Sequence, residues 1–177
     1  GESQNFIFGF SPTSPISPTE VLISYDCTNS APATITVGLN TLLLSASATP
    51  IPDIVALAAT PSGDGILKLP GPNGSNAFAV SAVNVGSADT ITATPSPSLV
   101  LPLAMSICQT DATGACLSSA DSSATSLVEA GATPTYSVFV TATATVPFDP
   151  ANNRIVVEFT DSGGVVRGST SVAVTTQ

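Results

Sequence analysis

The chain has 177 residues, of which 24 are Ser and 23 Thr, with only 8% charged residues and a net charge of −9. Its three cations, Lys68, Arg154 and Arg167, are too few and too dispersed to displace the counterions of a nucleic acid, so no nucleic-acid partner is expected. There is no His, which removes histidine bases, histidine metal ligands and His-activated nucleophiles, and the chain is expected not to be an enzyme.

Residues 1–18 are predicted as an N-terminal extended strand and proline-rich linker. Phe6, Phe8 and Phe10 fall on one face of an extended strand and Ile7 on the other, so three of the seven phenylalanines share one stripe. Burying three phenyl groups is worth about 5–8 kcal/mol, at ~1.5–3 kcal/mol each. Two destinations are open: the protein's own core, or an open sheet edge on a neighbouring copy, to which the strand would be donated. The linker Ser11-Pro12-Thr13-Ser14-Pro15-Ile16-Ser17-Pro18 favours the neighbour. Its spaced prolines suit an extended polyproline II spacer at ~3.1 Å per residue, not a tight turn.

Residues 19–96 and 97–177 are predicted as two tandem antiparallel β-sandwiches of immunoglobulin-like or jelly-roll-like form. β-branched residues alternate with small polar ones, and strong helix formers are nearly absent. Strands are expected at 21–27, 33–37, 42–48, 54–60, 65–69, 77–85 and 89–94, then at 99–108, 124–129, 134–145, 153–160 and 165–175. Thr94-Pro95-Ser96-Pro97-Ser98 is the predicted boundary, because proline cannot donate to a central ladder. The other reading is one larger sandwich with 94–98 as a surface connection.

Cys108 and Cys116 flank the segment from Gln109 to Ala115, which reads as a hairpin turn, and a disulfide between facing strands is expected there, with two buried thiols as the alternative. Cys27 is left over, either a buried small hydrophobe or a partner for a cysteine outside its own domain. The disulfide points to an oxidising, extracellular or cell-surface location. No run approaches the ~18 apolar residues of a membrane span, so no such span is expected. With no initiator Met, basic n-region or apolar h-region at its start, the chain reads as a processed or excised product.

In the second half, Glu129-Ala130-Gly131 through Phe139-Val140, Val146-Pro147-Phe148-Asp149-Pro150 through Arg154, and Gly168-Ser169-Thr170 through Val174 form three runs. Together they resemble the closing strands of immunoglobulin-like β-sandwich modules in secreted bacterial surface proteins. The first half is similar in Asp64-Gly65-Ile66, Phe78-Ala79-Val80 and Asn84-Val85-Gly86. The resemblance implies an extracellular structural or adhesive setting and no catalytic residues.

The remaining chemistry is sparse. Asp149 and Asn152 place oxygens close together and are the weak candidates for a Ca2+ site, against the commoner role of such residues in turns. Asn73-Gly74-Ser75 matches a glycosylation acceptor, and Lys68, Arg154 and Arg167 read as surface ion-pair partners. No cofactor is expected. The function expected is that of a structural subunit of an extracellular filament or surface array, a homopolymer of copies of itself joined through Phe6, Ile7, Phe8 and Phe10. The alternative is a monomeric adhesion or carbohydrate-binding module of a larger surface protein.

Overall fold

A computed structural model of the chain describes residues 5–26 and 28–177. Among these there is no helix. The strands are β1 (Ile16–Leu22), β2 (Thr41–Ala46), β3 (Ile54–Ala59), β4 (Ile66–Leu69), β5 (Ser75–Asn84), β6 (Asp89–Pro97), β7 (Leu103–Thr110), β8 (Ala124–Val128), β9 (Thr135–Ala142), β10 (Arg154–Thr160) and β11 (Val166–Thr176).

Nine strands form two facing sheets, ordered β4-β11-β10-β6-β8 and β3-β5-β9-β7, while β1 and β2 pair as a separate two-stranded ribbon. All neighbours are antiparallel except β4, which runs parallel to the end of β11. The alternation read in the sequence drives this. One side of each strand is apolar and faces the opposite sheet: Phe78, Val80 and Ala82 on β5, Tyr136, Val138 and Val140 on β9, Ile91 and Ala93 on β6, and Ile155, Val157 and Phe159 on β10 are all buried. Tyr136 and Phe159 meet edge to face across the two layers with ring centres 5.6 Å apart. The expected all-β antiparallel sandwich is therefore what forms.

The division at residue 96 does not. Both sheets draw strands from both halves: β5 lies beside β9, and β6 lies between β10 and β8. The chain has one interleaved sandwich. The segment read as a boundary is the end of β6, with Pro95 opposite Val157 and Pro97 opposite Ile155. Its pairing with β8 stops at Ala93. The prolines thus sit where the strand has a neighbour on one side only, the place where a missing N–H is tolerated.

Strand limits differ from expectation mainly near the N-terminus. β1 starts at Ile16 and takes in Pro18, which shortens the linker to residues 11–15, and 33–37 forms no strand. Residues 5–15, expected as strand and linker, carry no regular secondary structure. Residues 1–4 of that predicted strand, and Cys27, lie outside the described residues.

Candidate assembly interface

The apolar residues before position 50 add no buried side chain to the core. The buried core begins at Ile54, and of the described residues before position 50 only Thr36 is buried. Phe6, Ile7, Phe8 and Phe10 are all exposed, as are Leu22, Ile35, Val37 and Leu39. Phe6 touches the Tyr25 ring at 5.8 Å between centres, an exposed contact outside the core. Of the two destinations open to the phenylalanine stripe, the protein's own core is not the one occupied.

The edges of the sandwich are where such a strand could dock, and most are protected. Beside β7, the segment after Thr110 folds back along the strand: Ile107 exchanges backbone hydrogen bonds with Asp121 at 2.7 and 3.0 Å, and the Leu117 N–H donates to Gln109 at 2.9 Å. A disulfide joins Cys108 to Cys116 and holds this cover in place, with the two Cα atoms 5.6 Å apart. The turn is built on Asp111, whose carboxylate accepts the Thr113 hydroxyl and the Thr113 and Ala115 N–H groups. These bonds hold its pKa below the ordinary aspartate value.

The β4 edge spans only four residues, and the Asn76 side chain caps its outward Lys68 carbonyl at 2.8 Å. On β11, the stretch before Ala173 lies beyond the reach of β4, and here Arg154 intervenes. Its guanidinium donates to the Ser171 hydroxyl at 3.0 and 3.1 Å, to the Ser171 carbonyl at 3.2 Å and to the Pro150 carbonyl at 2.8 Å. Arg154 is only 5% exposed and makes no ion pair among the described residues, so it is a buried edge clamp and not the surface ion-pair partner expected. Burial pulls its pKa down from the usual guanidinium value.

Lys68 pairs with Asp64 at the surface as expected, whereas Arg167 pairs with Asp161 with both side chains largely shielded from solvent, each pair at 2.6 Å. Burial pushes the Asp161 pKa up, but the Val165 N–H, the Arg167 guanidinium and the Gly163 N–H outweigh it and hold the carboxyl below its ordinary value.

Two sheet ends remain: β8, hydrogen-bonded to β6 alone, and β3, hydrogen-bonded to β5 alone. β3 is covered on its outward side by β11. At its start it is pressed against β11: a Cβ added at Gly168 would fall 2.0 Å from the Ile54 carbonyl oxygen. Further along, the Ala58 N–H donates to the Thr170 hydroxyl at 3.2 Å. Two cavities, of about 530 and 630 Å³, open along β3, the first between it and β2 with Leu42, Leu44, Ile54, Ala56 and Phe10 in its walls, the second walled by Leu39, Ala56, Leu57, Ala58 and Ile66. The Glu20 carboxylate at the first cavity accepts a hydrogen bond from the Thr41 hydroxyl and ties β1 to β2.

Asp149 and Asn152 meet, but as a turn. The Asn152 side-chain amide donates to the Asp149 carboxylate at 2.9 Å, and the Asn153 N–H donates to the Asp149 carbonyl at 2.8 Å. Asn73 is exposed in a left-handed conformation, φ 68°, at a turn where Asn is among the few side chains tolerated. The Ser75 hydroxyl of that acceptor pattern pairs with the Thr141 hydroxyl at 2.8 Å. Sequence reasoning missed the position of β3 at the end of its sheet and the clamp. The run Ile54-Val55-Ala56-Leu57-Ala58-Ala59 was legible as a strand, but nothing local marks it as an edge.

The molecule is thus an all-β sandwich with an unburied N-terminal layer. No family model matches the chain, and no curated protein does. Among solved structures it is similar to WR4, a C. elegans MSP family member, at 10% identity and a TM-score of 0.37, covering 70% of this chain and 97% of that one. It is also similar to the ASH / PapD-like domain 7 of human CEP192, at 9% identity and a TM-score of 0.35, covering 71% and 85% respectively.

Proposed function

We propose that the protein is a structural subunit of an extracellular filament or surface array, assembled by donating the segment around Phe6, Ile7, Phe8 and Phe10 to a neighbouring copy. The observation that carries this reading is the exposure of that stripe in a single copy whose core is complete without it. A segment with three half-exposed phenyl groups is an aggregation hazard unless something covers it. The Cys108–Cys116 disulfide suits an oxidising exterior, and a surface of Ser, Thr and Ala with no histidine suits a protein whose role is mechanical.

The test compares the intact chain with one lacking residues 1–10, by sedimentation and electron microscopy over a range of concentrations. The intact chain is expected to form concentration-dependent oligomers, and the shortened chain to stay monomeric while unfolding at the same temperature. A monodisperse 17.5 kDa species from the intact chain would sink the proposal and favour a monomeric adhesion module, to be followed by a glycan array.

A further inference from the structure

We infer that the acceptor is the free edge of β8, and that its occupant is the segment Asn5–Phe10 of a second copy, laid beside β8 as a sixth strand of the β4-β11-β10-β6-β8 sheet. This rests on the assembly reading above and names the surface it requires.

The hydrogen-bond directions leave β8 unpaired on one side. The Ser98 N–H donates to the Arg154 carbonyl at 2.9 Å, and the Thr160 hydroxyl donates to the Thr92 carbonyl at 3.4 Å. Even-numbered residues of β6 thus direct their backbone groups toward β10. Consecutive residues of a strand point theirs to opposite sides, so Asp89, Ile91 and Ala93 face β8, where their register partners are Val128, Ser126 and Ala124. Thr125 and Leu127 are left with N–H and C=O both directed away from β6, and these groups have no partner among the described residues.

None of the devices that blunt the other edges is present. Ala124–Val128 holds no proline and no charge, and Leu127 is 63% exposed. The chain enters β8 from Asp121, which is bonded to Ile107, so β8 and β7 close the same flank of the sandwich. There Leu103 and Met105 on β7 and Ala124 on β8 are only partly buried at the margin of the core. A strand added to β8 with its phenyl groups inward would cover them, and Ile7 on its outer side would lie beside Leu127.

Position favours a second copy. In its own copy Phe6 leans on Tyr25 and Phe10 walls the cavity between β2 and β3, so the donor sits at the β3 flank, across the sheets from β8. Donor and acceptor on opposite flanks make a head-to-tail contact, which repeats from copy to copy and builds a filament unless its rotation closes a ring. Charge agrees. Each copy carries −9, so copies meet at least cost where neither surface is charged, and Asn5–Phe10 and Ala124–Val128 contain no ionisable residue. Phe6, Phe8 and Phe10 are 59%, 53% and 48% exposed. At ~150–250 Å² per aromatic side chain they hold roughly 250–400 Å² of surface to bury. That is the small, reversible end of protein interfaces, in keeping with assembly that depends on concentration.

The experiment places a photo-crosslinking benzoyl-phenylalanine at Leu127 in unlabelled full-length chain, mixes it with 15N-labelled full-length chain, and identifies the captured peptides by mass spectrometry. Capture of labelled residues 5–10 is the expected result. Capture of the same segment from the crosslinker's own chain alone would overturn the second copy as occupant. Oligomers that form without position 127 reaching residues 5–10 would overturn β8 as the acceptor and leave strand donation standing, whereas absence of oligomers would end both. A second variant, Leu127→Pro, deletes an outward N–H and leaves the β6 ladder its partners at Ala124, Ser126 and Val128. It is expected to weaken assembly at least roughly tenfold with the monomer still folded, as loss of edge pairing requires. Unchanged assembly of a folded Leu127→Pro chain would overturn the β8 edge as well.

Discussion

The side-chain amide of Asn84 on β5 donates to the carbonyl of Val128 at the end of β8, 3.1 Å away, and so fastens one sheet of the sandwich to the other. Asn84 is fully buried, and it also donates to Ser87 at 2.8 Å and accepts the N–H groups of Asp53 at 3.2 Å and Gly86 at 3.0 Å. Asn84→Ala orphans all four groups at once. A loss of about 2–4 kcal/mol is expected, read from urea unfolding, because each unsatisfied buried group costs ~1–3 kcal/mol. A loss below about 1 kcal/mol would mean that water takes over these bonds.

Phenylalanines at the two ends of the chain should behave oppositely. Phe159 is fully buried against Tyr136, and Phe159→Ala is expected to cost about 3–5 kcal/mol. Replacing Phe6, Phe8 and Phe10 together with Ser is expected to change the unfolding of dilute monomer by less than about 0.5 kcal/mol, as for surface positions. A large loss from the triple variant would place the stripe in the protein's own core after all.

At Gly168, β11 lies directly against β3, and there is no room for a methyl group. Gly168→Ala is expected to destabilise by about 1–3 kcal/mol, the usual cost of overpacking, and to increase hydrogen exchange along β3. Exchange confined to β8 instead would contradict the packing described.

Removing the disulfide should loosen one edge specifically. Reduction, or Cys108→Ala with Cys116→Ala, is expected to cost about 2–3 kcal/mol on the chain-entropy argument for so short a loop. It should also open the 111–121 cover to proteolysis before the rest of the sandwich unfolds. Cleavage elsewhere first would show that this cover does not depend on the bond.

Asp161, the least exposed of the aspartates held below their ordinary pKa, contributes to the acid response. Its folded pKa lies below the unfolded value of 3.8, so its contribution is present above about pH 4 and is lost as pH falls through the folded value. Urea midpoints measured from pH 6 to pH 2 should hold steady and then fall below about pH 4. In Asp161→Asn the midpoint should be lower near neutrality and the acid fall shallower. Parallel curves for the two proteins would remove Asp161 from this role.

Most strands were legible because their alternation is written residue by residue, and β3, β5, β6, β10 and β11 fall close to where the pattern puts them. The failures have a common cause. Pro95 and Pro97 looked like a break because a proline's tolerance depends on whether a neighbour lies on its N–H side, which the local sequence does not state. Arg154 looked like a surface charge because the carbonyls that hold it, at Pro150 and Ser171, come from another strand and a loop. The 33–37 stretch has strand composition but no strand beside it.

By itself, the sequence determined the class of fold and the exclusions: a two-period pattern with little charge makes sheets with one apolar face, and the lack of histidine removes whole families of chemistry. It also singled out Phe6, Phe8 and Phe10 as a stripe needing cover. Only the tertiary structure decided that the halves interleave into one sandwich, that the stripe stays outside its own core, and which strands end the two sheets. Strand alternation is a local property of the chain, whereas the choice of neighbour for each strand is set by long-range pairing, and no short segment encodes its own partner.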